Sequence, residues 1–478
     1  MSTIISVGID IGTSTTQVIF SRITMDNTAG YFTAPRISIV AKDVFFRSEV
    51  HFTPLKTMSL IDGDAVRDIV AEEFRKAGIR SSDVDTGAVI ITGESARKEN
   101  AALVLEKLSD FAGEFVVSTA GPDLESIIAG KGSGAYQYSI DNDCAVINLD
   151  VGGGTTNIVS FYAGEVTGKG CFDIGGRLVR LDRDGTVRSI SPAAQKIIEE
   201  QKLSLRTGER ATDEQLSRLT DRMAELLAEA LGLKAESALL REIQTPNSSW
   251  LGQTHVASRI CFSGGVADCM GQSRAGTADF LRFGDIGLYL GRSLRTNPYL
   301  AAARQVPAHE TIRATVVGAG TYTTSLSGST ISYSDGIFPV KNVPALKLSY
   351  QEQQEFLDKG GESLYQKCRW FLEQNDTENL LLAMPGKLDP TYAEIKHMAK
   401  RIVDAMSRAL PPEAPLIVVV EQDIAKALGN AMKQEAGNQR RVAAIDSIKI
   451  DVNDFVDIGR PLMDGLVVPV VVKTLLFG

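Results

Sequence analysis

Two stretches of this chain repeat one pattern of apolar and polar positions. Residues 7–19 read VGIDIGTSTTQVI and residues 147–159 read INLDVGGGTTNIV. Each is an apolar run ending in Asp-x-Gly, then a turn of small residues, then a second run rich in β-branched residues. That is the pattern of a β-hairpin. At a constant offset of 140 positions Asp10 falls on Asp150, Gly12 on Gly152, Thr15 on Thr155 and Thr16 on Thr156. A repeat held in register over this length predicts two related halves.

The hairpins are expected over residues 4–23 and 145–162, each followed by a third strand, at 37–46 and 164–172. Apolar residues at helical spacing predict helices near 65–76, 101–111 and 191–202. The strongest helical pattern covers 212–240, where Leu216, Leu219, Met223, Leu226, Leu227 and Leu231 recur every three or four residues. Gly232 interrupts it, which favours core packing over a coiled-coil partner helix. After Ser334 the character changes: Pro339 and Pro344 precede a charged helical stretch over 351–373 that carries Trp370. Beyond it, strands at 380–383, 416–421 and 466–473 alternate with helices at 392–410 and 423–432. We therefore expect an α/β chain of three units: 1–140, 141–334 and 335–478. A length of 478 residues suits this division, because single cores stop growing well below that size.

Composition narrows the function classes. The chain is 44% apolar and 23% charged, as ordinary globular proteins are, and it lacks the run of about 18 apolar residues that a membrane span requires. A net charge of −9 gives no electrostatic footprint for nucleic acid. The first residues lack a basic segment before the apolar run, so no secretory signal and a cytoplasmic location are expected. The five cysteines lack the paired spacing of a zinc site or a disulfide framework and are read as reduced, mostly buried thiols.

The small-residue turns carry the chemistry. Such a turn presents several backbone N–H groups at once, and these can wrap phosphate oxygens only where no side chain blocks the approach. In the first loop Gly12, Thr13, Ser14, Thr15 and Thr16 are candidates; in the second, Gly152, Gly153, Gly154, Thr155 and Thr156. Asp10 and Asp150 would face the phosphates, where a carboxylate is tolerable beside a cation such as Mg²⁺. They are the candidate metal-binding and catalytic residues. Neither loop ends in Gly-Lys-Ser/Thr, so a Walker site is disfavoured. A third element, VASRICFSGGVAD at 256–268, places Ser263, Gly264 and Gly265 after an apolar strand, where paired glycines allow a base and ribose to approach closely.

These three motifs, in this order, resemble the two phosphate loops and the adenosine loop of actin-like ATPases. The segments at 120–130 and 314–320 look like that family's two connecting helices. The resemblance implies an actin-like fold of two RNase H-like halves with a C-terminal α/β extension, and ATP or ADP with Mg²⁺ as ligands. Hsp70 relatives carry an acid just before the proline of the first connecting helix, where this chain has Gly121, followed by Asp123 and Glu125. Slow hydrolysis is the expectation. Longer strings, IITGESA at 90–96, FVVSTAGP at 115–122, SLSGSTI at 325–331, DIGRPL at 457–462 and VVPVVVKT at 467–474, are similar to the reactivating factors of ethanolamine ammonia-lyase. That resemblance implies an ATP-dependent, chaperone-like factor of ethanolamine catabolism. It would bind the lyase and release damaged cobalamin so that intact adenosylcobalamin can enter. It further implies a cytoplasmic setting associated with a bacterial microcompartment, and a homo-oligomer is expected.

Other residues read more plainly. Asp451, Asp454 and Asp457 are expected in a solvated turn. His51, His255, His309 and His397 are isolated and assigned surface or packing roles, and Trp250 and Trp370 are assigned to packing. A small-molecule kinase of the same fold would need a carboxylate base, and no Asp stands out. A non-enzymatic actin-like scaffold would be expected to carry an amphipathic membrane-targeting tail, whereas the tail here is strand-like.

Overall fold

The computed structural model describes residues 1–13, 15–29, 37–57, 60–92, 95, 99–108, 117–119, 122–245, 248, 259–272, 280–322, 324–328, 330–452 and 454–474. The first hairpin is Ser2–Ile11 against Thr15–Asn27, and Ile37–Arg47 adds the third antiparallel strand. On its other side Ser2–Ile11 pairs in parallel with Thr86–Ile91, which pairs in parallel with Val117–Thr119. The second half repeats this order. Ala145–Val151, Thr156–Tyr162 and Glu165–Phe172 are antiparallel, and Ala145–Val151 is followed in parallel by Arg259–Ser263 and Arg304–Val306. The hairpin registers also agree: Asp10 lies opposite Gln17 and Asp150 opposite Asn157. Val7, Ile9 and Ile11, like Ile147, Leu149 and Val151, are buried, as central strands covered on both faces require.

Two helices cross between the halves. Pro122–Gly132 precedes the second half in sequence and packs on the sheet of that half, where a Cβ on Gly130 would strike Val159 and Phe161. Ala314–Tyr322 follows the second half and packs back on the first sheet; Ser6 Oγ donates to Gly320 O at 2.6 Å. The helices touch backbone to backbone. A Cβ on Gly132 would lie 1.8 Å from Ala314 O, and one on Gly318 would lie 2.0 Å from Ile128 O.

The long helical pattern resolves into two pieces. Helix Asp213–Ala230 starts on a reciprocal cap between Thr212 and Gln215 and stops where Gly232 takes φ +69°; a short helix, Ala238–Glu242, follows. Arg222, buried on that helix, donates to Glu200, Glu225 and Glu229, and Glu229 also accepts from Ser237. The charged stretch after position 350 is likewise two helices, Tyr350–Lys359 and Glu362–Gln374, parted at Gly360 with φ +109°. Trp370 is 59% exposed, because Leu364, Cys368 and Leu372 occupy the buried face of its helix. The packing role expected for it does not hold. Trp250 and His255 lie outside the described residues.

The third unit is built on four parallel strands, Val340–Lys347, Leu381–Met384, Leu416–Val420 and Val442–Asp446. Antiparallel strands Asp454–Ile458 and Pro469–Thr474 extend one side. Thr324–Leu326 and Ser332–Tyr333 complete the two edges, so this sheet begins ahead of position 335. Val467 joins Ile4, Ile23, Met25 and Ile37 in a small core, which docks the unit on the first half. Asp454 and Asp457 are buried rather than solvated: the Asp451 N–H donates to Asp454 and the Asn342 N–H to Asp457, each at 2.6 Å. Among the described residues no helix is long and apolar enough to cross a membrane.

Gly318→Ala should cost about 3 kcal/mol of stability, because overpacking here meets a backbone carbonyl that cannot turn aside. Gly271→Ala, where a Cβ meets nothing within 4 Å, should be neutral or slightly stabilising. Urea denaturation of both variants checks the contrast; equal loss in the two would remove the special status of the crossing.

Candidate functional site

The hairpin turns of the two halves open on a shared cleft of about 440 Å³. Each turn is closed by the same hydrogen bond, Gly12 N–H to Thr15 O at 2.8 Å and Gly152 N–H to Thr155 O at 3.0 Å. Asp10, Gly12, Thr13, Thr15, Asp150, Gly152, Gly153, Gly154, Thr155, Gly264 and Gly265 all line the cleft. Ser14 lies outside the described residues. The remaining candidates stand behind the loops. Thr16 and Thr53 share a hydrogen bond at 3.1 Å, and Thr53 Oγ1 donates to Gly12 O; Thr156 Oγ1 donates to Ile174 O at 2.7 Å. Ser263 is fully buried and donates to Asp150 Oδ1 at 2.7 Å.

The second loop is braced by a neighbouring turn. The Gly176 N–H donates to Gly152 O at 2.9 Å and the Arg177 N–H to Gly153 O at 2.7 Å. A Cβ on Gly175 would fall 2.3 Å from Gly153 O, so only glycine fits there. Gly264 is held by its φ of +85° and by Val151 O, 2.4 Å from where a Cβ would stand. Gly153 and Gly154 donate no backbone hydrogen bond among the described residues, which leaves their N–H groups to a ligand.

Several lining residues were not singled out as site residues from sequence: Gln17, Thr92, Glu125, Arg177, Asp285 and Thr315. Thr92 Oγ1 donates to Asp10 Oδ1 at 3.0 Å, and Thr315 Oγ1 lies 3.4 Å from Asp150 Oδ2. A signal for Thr92 existed. It follows the strand beside that of Asp10 and precedes a glycine, as Ser263 follows and precedes in the second half. Gln17 turns its amide to Ile312 O, and its buried Oε1 has no partner among the described residues. Gln17, Arg177, Asp285 and Thr315 converge only through folding, from separate segments of the chain.

Carboxylates dominate the cleft: Asp10, Glu125, Asp150, Asp268 and Asp285, against Arg177 alone among the basic lining side chains described. Arg177 Nε lies 3.7 Å from Asp285 without a hydrogen-bond acceptor, and its guanidinium sits 6.0 Å from the ring of Phe52 on the opposite half. Burial pushes the Asp10 carboxyl up to about 7, with Thr92 opposing and Asp150 adding to the rise. Burial likewise raises Asp150 to about 6, against the hydrogen bonds from Ser263 and Thr315. Two buried acids that repel one another, beside bare amides, suit a polyphosphate with its counter-cation.

Comparison with known proteins agrees with this frame. The family model described as "Ethanolamine utilisation protein EutA" matches residues 2–478. The chain belongs to the EutA family. Relatives named ethanolamine ammonia-lyase reactivase EutA, from Salmonella typhimurium and from Escherichia coli K12, are each 38% identical, over 99% of this chain and 98% of their own. Among solved structures, an Aquifex aeolicus PPX-GPPA enzyme aligns with 66% of this chain and 99% of its own at 15% identity and TM-score 0.41. The ethanolamine utilization protein EutJ of Carboxydothermus hydrogenoformans aligns with 66% of this chain and 89% of its own at 17% identity and TM-score 0.33. The family membership expected from the quoted strings therefore holds; in this EutA-family chain Thr92 of the first string lines the cleft, and the strings at 457–462 and 467–474 belong to the sheet of the third unit.

Because Asp10 and Asp150 hold their protons more tightly folded than unfolded, the folded state binds more protons between about pH 4 and pH 7. Their contribution to stability is present below the unfolded carboxyl range and is lost as pH rises through 6 to 7. The ligand-free protein should lose more melting temperature between pH 5 and pH 8 than the Asp10→Asn/Asp150→Asn variant. Parallel profiles in differential scanning calorimetry would count against the raised carboxyls.

Proposed function

We propose that this chain is an ATP-dependent reactivating factor for ethanolamine ammonia-lyase, which binds the lyase, releases damaged cobalamin and lets intact adenosylcobalamin enter. The observation that carries the reading is a full-length match to curated reactivases in a chain whose duplicated loops face one cleft. ATP or ADP would lie with its phosphates between Gly12–Thr15 and Gly152–Thr155 and its adenosine toward Gly264 and Gly265. Mg²⁺ fits the donor set, since Asp10 and Asp150 are buried acids that a dication would hold ionised; it would screen the phosphate charge. Arg177 adds the cationic side chain that a polyphosphate among carboxylates needs.

The acid missing before Pro122 has a substitute one turn later: Glu125, 8% exposed on helix Pro122–Gly132, lines the cleft. In this reading Glu125 orients the water that attacks the terminal phosphate. Nucleotide state then sets the spacing of the halves and, through it, affinity for the lyase, since a ligand shifts an equilibrium only by binding its two states unequally. The setting proposed is the cytoplasm, in association with a bacterial microcompartment.

The deciding experiment mixes the purified chain, ATP and Mg²⁺ with lyase inactivated by cyanocobalamin, then adds adenosylcobalamin. Lyase activity should return with ATP and not without nucleotide, and Asp10→Asn should abolish the return while leaving nucleotide affinity within about tenfold. Recovery that is indifferent to nucleotide would overturn the ATP-dependent mechanism. A separate measurement concerns Glu125→Gln, which should slow ATP turnover about a hundredfold with little change in ADP affinity by calorimetry. Unchanged turnover would remove Glu125 from the chemistry.

A further inference from the structure

A further cavity of about 380 Å³ lies where the crossed helices meet the first sheet and the third unit. Its walls come from three places: Ala88 and Ile90 on the first sheet, Ile128 and Lys131 on the first crossed helix with Tyr322 on the second, and Ser447, Lys449 and Val471 on the third unit. Most of the wall is apolar. Lys131 and Lys449 are its basic lining residues, and Lys42, outside the lining, sits against the Tyr322 ring. Lys42 Nζ sits 3.9 Å from the centre of the Tyr322 ring, and Lys131 Nζ lies 6.0 Å from the same ring and 5.1 Å from that of Tyr136.

Two ammonium groups thus gather round one tyrosine, and neither makes an ion pair or hydrogen bond to a carboxylate among the described residues. Burial and the Lys131 charge push Lys42 down to about 8, and burial lowers Lys131. Ring faces offset part of the cost of withdrawing a cation from water, but two like charges held together still call for an anion. The cavity beside Lys131 has the size of a small-molecule site, and Ser325 and Ser447 stand at its lining, the Ser447 hydroxyl donating to Asp446.

We propose that this cavity binds a small organic anion, a carboxylate or phosphate ester with an apolar body, whose charged end is held by Lys131, with the charge of Lys42 against Tyr322 adding to the attraction, and whose body packs against Ile90, Ile128 and Val471. The inference is independent of the nucleotide reading, because the cavity shares no lining residue with the cleft.

Lysine labelling by trinitrobenzenesulfonate, mapped by peptide mass, tests it on the full chain with three probes: phenyl phosphate, hexanoate and inorganic phosphate. Phenyl phosphate or hexanoate at several times its dissociation constant should slow labelling of Lys131 about fivefold, with exposed lysines unaffected. Inorganic phosphate, without an apolar body, should protect less. Protection by inorganic phosphate alone, or by none of the three, overturns the proposal. In Lys42→Gln/Lys131→Gln, binding of the protecting probe should weaken about tenfold or more, and unchanged affinity would also overturn it. If that variant fails to fold, the wild-type labelling decides alone.

Discussion

Gly132 and Gly318 set the distance between the two crossed helices, and the rest of the molecule is arranged around that contact. With no side chain at either point, one helix backbone rests on the carbonyls of the other, and the hairpins they cover are brought to one cleft. Each helix belongs by sequence to one half and packs on the sheet of the other. A change in the crossing therefore moves Asp10 relative to Asp150. Packed backbones of this kind slide or rotate as units rather than deform, which suits the switching between nucleotide states proposed above.

The cleft is organised by an opposite economy of charge. Among the described residues five carboxylates line it against one guanidinium. Burial raises the carboxyls of both Asp10 and Asp150, and the charge of Asp150 adds to the rise at Asp10. The hydroxyls of Thr92, Ser263 and Thr315 hold them in place meanwhile, and hydrogen bonds to a charged acceptor are worth about 1.5–3 kcal/mol each. Contrast Arg222, whose buried guanidinium is fully engaged by Glu200, Glu225 and Glu229. That network is complete within the protein and serves the fold; the cleft and the Lys42–Lys131 pair are incomplete, and incomplete charge is what a ligand completes.

The third unit is more than an appendage. Its sheet reaches back for Thr324–Leu326, directly after the second crossed helix, and its tail fixes Val467 in the core formed by Ile4, Ile23, Met25 and Ile37. The helix ending at Tyr322 is thus joined to this unit by a few residues of chain.

The sequence alone determined the hairpins, the loops and their pairing, because these rest on local rules: apolar runs rich in β-branched residues, small residues at turns, an acid at a strand end. Glycine and threonine in register at two places fixed the duplication before any contact was known. What the tertiary structure decided was which hydroxyls face the ligand. Thr16 and Thr156 match within the repeat as well as Thr15 and Thr155 do, yet the alternation of side chains along a strand turns the first pair to the supporting face. Helix ends at Gly232 and Gly360 were visible as glycines, but that they take positive φ and stop the helices is a property of the folded chain. Glu125, Arg177 and Thr315 entered the cleft, and Lys42 met Lys131 at Tyr322, through approaches between segments far apart in the chain. Spacing along a sequence carries no record of such approaches, because they are set by how sheets and helices pack.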